Sequence, residues 1–286
     1  ALPLLGRQEL DALSALPEGV VSIGAALERA VELNPADVQL AVRLGNIYRE
    51  QPDLLEPAKK ELPAPERATL ADALVDRAVA AQTQSPEAYL ARSAYRRAFK
   101  LPGMEDDLAR ALQLAPDNVA VRLTCGVAAQ ARAAELMAAG SLTDAQQQRE
   151  TARQHYQRAT ELAPNDARPY LLLGQLFREQ GEIDPAVAAL DSGLKIEADN
   201  LQLHALAADC LLARQDEDKN RWQQVALHLE AYGRGVDRIR PLLGTGTRRT
   251  LETAGDLLQA RLWIQQKKYK DAVDRLNERL VDPALL

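Results

Sequence analysis

Residues 161–179 read ELAPNDARPYLLLGQLFRE, and residues 32–50 read ELNPADVQLAVRLGNIYRE. The two stretches share Glu-Leu-x-Pro, then Asp, then Leu-Gly, then an aromatic followed by Arg-Glu, all at the same offsets. The matched pairs are Glu161 and Glu32, Pro164 and Pro35, Asp166 and Asp37, Leu173 and Leu44, Gly174 and Gly45, and Phe177 and Tyr48. A third copy of the turn, LQLAPDN, occupies 112–118. Self-similarity of this kind marks a repeat array, in which each unit buries its apolar face only against its neighbours. The proline stops the helix before it and the polar residue after it caps the next, so each copy marks a joint between two helices.

Outward from these joints, the pattern resembles the tetratricopeptide repeat family, whose unit of about 34 residues is a pair of antiparallel helices. Residues 167–200 carry the family's bulky, small and aromatic positions as Tyr170, Leu173-Gly174, Phe177, Ala186 and Leu190. Gly193 replaces a third small residue, and Ala198 stands where proline is usual. Residues 253–286 supply Ala260, Trp263, Ala272 and Leu276 at matching offsets. The resemblance implies an all-α fold, a right-handed superhelical solenoid of antiparallel helix pairs forming a single array over 1–286. The expected units are 8–33, 36–82, 85–115, 118–163, 166–199, 200–232 and 250–282, with an irregular connector over 233–249. Small residues at Gly45, Gly174, Ala30, Ala111 and Ala159 are expected to let helix backbones approach closely.

The proline spacing shows where the array departs from regularity. Pro35 to Pro86 is 51 residues, Pro116 to Pro164 is 48, and Pro86 to Pro116 is 30. The extra length falls on the proline-rich stretch 51–65 and on 138–150, where longer helices would also account for it. Neutral drift is the first reading of such insertions, and a functional edge loop the second.

Composition agrees with packed helices. Aromatics are only 4% of the chain while hydrophobic residues are 47%, so the apolar content is mostly Ala, Leu and Val. The net charge of −6 disfavours non-specific nucleic-acid binding. There are 27 Arg against 8 Lys, which reads either as codon bias of a GC-rich genome or as recognition of carboxylates. Cys125 and Cys210 fall on apolar helical faces and are expected to be buried and reduced. No apolar run approaches a membrane span of about 20 residues. A soluble location is expected, cytoplasmic ahead of periplasmic. The absence of Met at residue 1, and an end at Leu286 where a further repeat could begin, read as a piece of a larger bacterial protein or a processed one.

No catalytic constellation is visible, and nothing calls for a cofactor or metal. His204 sits at a packing position, and no histidine has metal-ligand spacing on one helix face. The run 244–247, Gly-Thr-Gly-Thr, lacks the strand and the Lys of a phosphate loop and reads as a turn before a helix. Asp216, Glu217 and Asp218 read as a helix start.

In the family, the first helix of each pair lines an inner concave surface, and positions three and four apart share that face. The resemblance places Gln39, Val42, Asn46 and Arg49 there, then Arg168, Leu171, Gln175 and Arg178. Gln202, Ala205, Asp209 and Leu212 follow, then Ala254, Leu257, Arg261 and Ile264. Glu87, Arg96 and Arg97 belong to a unit whose register is one residue short. No first helix carries the Lys–Asn pair of the family's chaperone-tail binders, so that ligand is not expected. The function expected is a non-catalytic scaffold holding a protein or peptide, with acidic side chains favoured; ordinary solvation of exposed arginines is the competing reading. Two further readings are a regulatory or substrate-recruiting array attached to an enzyme, and an envelope-assembly adaptor. A second candidate surface is the stretch 233–249, where Arg234, Arg238, Arg240, Arg248 and Arg249 face one acid, Asp237. A helix over 234–243 followed by a mobile turn is expected there, either as a solvated connector or as a dock for an acidic segment.

Overall fold

The computed structural model describes residues 22–214 and 217–280. The expected helix within residues 8–21, and Asp216, lie outside them. The described residues form fourteen α-helices and no strand. They are α1 (Ile23–Leu33), α2 (Val38–Glu50), the single turn α3 (Pro57–Lys60), α4 (Ala64–Ala80), α5 (Pro86–Ala98), α6 (Met104–Leu114) and α7 (Val119–Ala138). Then come α8 (Leu142–Leu162), α9 (Ala167–Gln180), α10 (Ile183–Ile196), α11 (Leu201–Ala213), α12 (Lys219–Ile239), α13 (Thr245–Gln265) and α14 (Tyr269–Leu280). The chain divides into two compact units, one up to Thr124 and one from Cys125 onward.

The repeated turn has one geometry wherever it occurs. The backbone N–H of Asp37, Asn118, Asp166 and Asn200 donates to the carbonyl three residues back, at 3.0, 3.1, 3.1 and 3.1 Å. The same four side chains then accept from the first backbone N–H groups of α2, α7, α9 and α11. A capping oxygen satisfies donors that a helix start leaves orphaned, worth about 1 kcal/mol per joint. The joint before α11 forms without proline: Ala198 stands there, and the cap of Asn200 and the turn bond are unchanged.

In the first unit α2 pairs with α4 and α5 with α6, while α1 packs on α2. Leu44, Ile47, Val75, Val79 and Tyr95 form its dry centre. The proline-rich insertion is part of this packing. It folds as a 3-10 turn, Pro52–Leu54, followed by α3. Leu55 is buried, and a Cβ on Gly24 would come within 2.8 Å of the Leu54 carbonyl oxygen, so α1 and the insertion touch backbone to backbone. Tyr48 donates its hydroxyl to Glu28 at 2.7 Å, and Lys59 pairs with the same carboxylate.

In the second unit the pairs are α9 with α10, α11 with α12 and α13 with α14. The extra length at 138–150 lies in the helices themselves, since α7 and α8 run 20 and 21 residues either side of a turn at Gly140. Gly174 faces its own pair: a Cβ there would lie 2.6 Å from Leu190 of α10. Cys125 and Cys210 are buried and reduced, and burial pushes the Cys210 thiol up to about 12.

The expected helix over 234–243 does not form as a separate element. Instead α12 continues through Gly233 and Gly235 to Ile239, a 3-10 turn spans Arg240–Leu242, and α13 begins at Thr245 after Gly244. The physical reason lies at Gly235, where a Cβ would sit 2.3 Å from Leu201. That glycine serves a close helix approach, while buried Tyr232 and Val236 hold the helix to the core around it. Asp218 caps α12 by accepting from Asn220 N–H at 2.8 Å.

Candidate functional site

The structure treats the sequence-predicted arginines in three different ways. Arg49 is drawn into the first unit. Its guanidinium makes a bidentate contact with Asp72 of α4 at 2.6 and 2.7 Å and bonds the Tyr95 hydroxyl of α5 at 2.8 Å. It also lies 4.7 Å from the Phe99 ring centre. With 15% of its side chain exposed, Arg49 is a strut across three helices. Gln39, Arg168 and Gln202 are exposed near the starts of their helices. Arg168 turns back on its own cap, Asp166, at 2.5 Å, and that hydrogen bond holds the Asp166 carboxyl below its ordinary range. Asn46 and Gln175 are half-buried, and Leu212 and Val42 are packed inside.

The third group is brought together. Arg178 of α9 donates its Nε to Asp209 of α11 at 2.9 Å, and Arg261 of α13 bonds the other oxygen of the same carboxylate. Three residues far apart in sequence thus meet on the exposed side of three successive first helices. Their side chains are 33%, 27% and 43% exposed for Arg178, Asp209 and Arg261, so water reaches the cluster. Leu257 and Ile264 flank Arg261 on α13, one helical turn to either side, and both are exposed.

Sequence reasoning missed a second charged cluster in the first unit. Asp107 of α6 is buried and accepts from Arg92 at 2.6 Å and from Arg96 at 2.9 Å, both on α5. Asp76 of α4 bridges the same two guanidiniums at 2.9 and 3.1 Å. Asp76 and the two arginines, with Asp72, Val75, Tyr95, Leu101 and Pro102, line a pocket of about 150 Å³. Here three carboxylates meet three guanidiniums, counting Arg49, so the pocket has no surplus charge to offer a ligand. Glu87 and Arg97 are exposed outside it.

Within 233–249, Arg234, Arg238, Arg240 and Arg248 pair with carboxylates, three of which lie outside the stretch. Arg234 pairs with Glu230 at 2.5 Å, Arg238 with Asp199 at 2.5 Å, and Arg240 with Asp237 at 2.7 Å and Glu252 at 3.3 Å. Arg248 lies 4.0 Å from Glu252. Four carboxylates therefore stand among five guanidiniums, against one in the linear sequence. Such exposed pairs are worth about 0–1 kcal/mol each, but together they remove most of the local field.

His204 packs as expected, but against a partner the sequence did not reveal. Its Nδ1 lies 3.0 Å from Nδ1 of His228, and its Nε2 lies 2.8 Å from the Ala198 carbonyl oxygen. That carbonyl requires Nε2 to carry the hydrogen, so His204 accepts at Nδ1 and His228 donates. Burial, and after it His204, hold the His228 imidazole below its ordinary value of 6.5, with Asp191 acting the other way. The unfolded chain takes up a proton near that value which the folded chain refuses until a lower pH. The stability contributed by neutral His228 is complete above pH 6.5 and is lost as the pH falls toward the lower folded value. Denaturation midpoints should therefore fall between about pH 7.5 and about pH 5.5, a window set by histidine rather than carboxylates. A His228→Gln variant should show a flatter profile, and an equally steep one would place the titration elsewhere.

These features define a class: an array of antiparallel helix pairs joined by capped turns, carrying exposed polar side chains on its first helices. Comparison with known proteins gives the class its name. Residues 136–210 match the tetratricopeptide repeat model, and the helix pairs adopt the tetratricopeptide fold. No curated protein sequence matches the chain. Among solved structures it is similar to PilW, described as a widely conserved type IV pilus biogenesis factor. The identity is 14% and the TM-score 0.54, covering 84% of this chain and 94% of that one. It is also similar to PilF of Pseudomonas aeruginosa, at 16% identity and a TM-score of 0.52, covering 87% and 93%. Tetratricopeptide folds are generally scaffolds for protein interactions. No helix among the described residues is long and apolar enough to cross a membrane.

Proposed function

We propose that the chain is a non-catalytic scaffold that holds a segment of a protein partner along the exposed faces of its first helices, α9, α11 and α13. One observation carries the reading: Arg178, Asp209 and Arg261 meet across those three helices, beside exposed Leu257 and Ile264. Apolar side chains left in water beside polar anchors are the composition of a recognition face. The second helix α12 also exposes an apolar residue, Leu227, but as a lone one it calls for no partner.

The test is a photo-reactive amino acid placed at Gln202 or Ile264, and at Leu227 as control, in the cells that make the protein. Cross-linked partners are expected from the two first-helix positions and not from Leu227. Cross-links from Leu227 alone would move the binding face to the second helices.

A further inference from the structure

The cluster of Arg178, Asp209 and Arg261 is chemically incomplete. A guanidinium has five N–H donors in a planar fork. Arg178 commits one of them, and Arg261 commits one, both to Asp209. Both oxygens of Asp209 are occupied, one by each arginine. Among the described residues, two cations thus share one anion, and no second carboxylate is bonded to either fork. The charged pocket of the first unit differs, because there the carboxylates equal the guanidiniums in number. Rigid placement also favours recognition here: Asp209 fixes both arginines, so a ligand need not order two long side chains on arrival. Leu257 and Ile264 lie four residues before and three after Arg261, on the same side of α13.

The geometry points to a carboxylate subsite: Arg178 and Arg261, preset by Asp209, take an Asp or Glu side chain of an extended partner segment, and Leu257 and Ile264 receive an apolar residue next to it. The inference rests on the first-helix face being the binding face. An added carboxylate brings the cluster to two anions and two cations, which removes the surplus charge. Each new bond is charge-assisted, and forked contact selects a carboxylate over an amide. The cluster stays partly hydrated, so the attraction weakens with salt over a Debye length of about 10 Å at 0.1 M.

The experiment uses the full chain and displayed random peptides, so no partner need be known. Peptides enriched by the chain should carry Asp or Glu beside an apolar residue. Their affinity should fall about tenfold when the acid is replaced by its amide. The double variant Arg178→Gln with Arg261→Gln should lose the acid enrichment while keeping its helical circular dichroism. Should that variant fail to fold, the single variant Arg261→Gln, at the more exposed of the two arginines, supplies the second arm. It keeps the Arg178–Asp209 pair and removes the surplus cation, so acidic peptides should bind it less tightly and with a weaker salt dependence. Enriched peptides without acids, an unchanged preference in the double variant, or unaltered acid affinity in Arg261→Gln would each overturn the subsite and leave the face itself standing. Peptides that bind yet fail to cross-link to a photo-reactive residue at Ile264 would overturn the face. The absence of any enriched peptide would overturn both.

Discussion

Gly126→Leu is expected to destabilise the unit from Cys125 onward by about 3 kcal/mol, while Gly233→Ala stabilises it by about 0.5–1 kcal/mol. Both glycines lie inside helices, where replacement by alanine alone is favourable by roughly 1 kcal/mol. The surroundings decide the sign. A Cβ on Gly126 would sit 2.4 Å from Cε1 of Tyr156 and 2.7 Å from its Cδ1. That ring is fully buried and anchored by its hydroxyl, which bonds Gln130 at 2.8 Å, so it cannot swing aside. Overpacking of this kind costs about 1–3 kcal/mol, and a leucine adds three further carbons to the clash. Around Gly233 nothing lies within 4 Å of the added atom. Denaturation followed by helical circular dichroism should show opposite shifts for Gly126→Ala and Gly233→Ala. Shifts of the same sign would mean that Tyr156 is not packed on α7 as described.

Asp107→Ala should cost the first unit about 3 kcal/mol, the low end of the range for breaking a buried ion pair from one side. The carboxylate is 2% exposed and answers two guanidiniums that are 17% and 19% exposed. Removing it leaves Arg92 and Arg96 half-buried with Asp76 alone between them. Asp76 is 54% exposed and so offsets less of their charge. A triple variant, Arg92→Met, Arg96→Met and Asp107→Leu, should recover most of the loss, because it removes the charges together with their need for each other. If Asp107→Ala unfolds at the wild-type midpoint, the pair carries no net stability.

The joints were legible because their chemistry is local: Pro35, Pro116 and Pro164, with Asp37, Asn118 and Asp166 two residues on, state a stop and a cap within seven residues. The same is true of Gly174, whose place at the contact with α10 follows from its position in the repeat. Ion pairs between helices are not local. Asp72 lies 23 residues from Arg49, and Asp107 lies 15 from Arg92, so no helical spacing announces them. One signal was present: Asp107 occupies the apolar face of α6, beside buried Leu108 and Ala111, and a charge on such a face implies a partner. The stretch 233–249 misled for a related reason. Its glycines read as breakers until Leu201 is seen against Gly235, and its charge reads as excess until Asp199, Glu230 and Glu252 are brought beside it. The repeat register placed Arg178, Asp209 and Arg261 on three first helices. It did not reveal the sharing of one carboxylate, since that depends on how far α9 and α13 stand from α11.

The turn before α11 also shows which part of a joint is dispensable. Ala198 stands there where three other joints have proline, and the turn bond and the Asn200 cap are both made. A unit can therefore lack the most visible letter of its joint and still start the next helix. An oxygen that caps, rather than a ring that stops, is what the joints before α2, α7, α9 and α11 have in common.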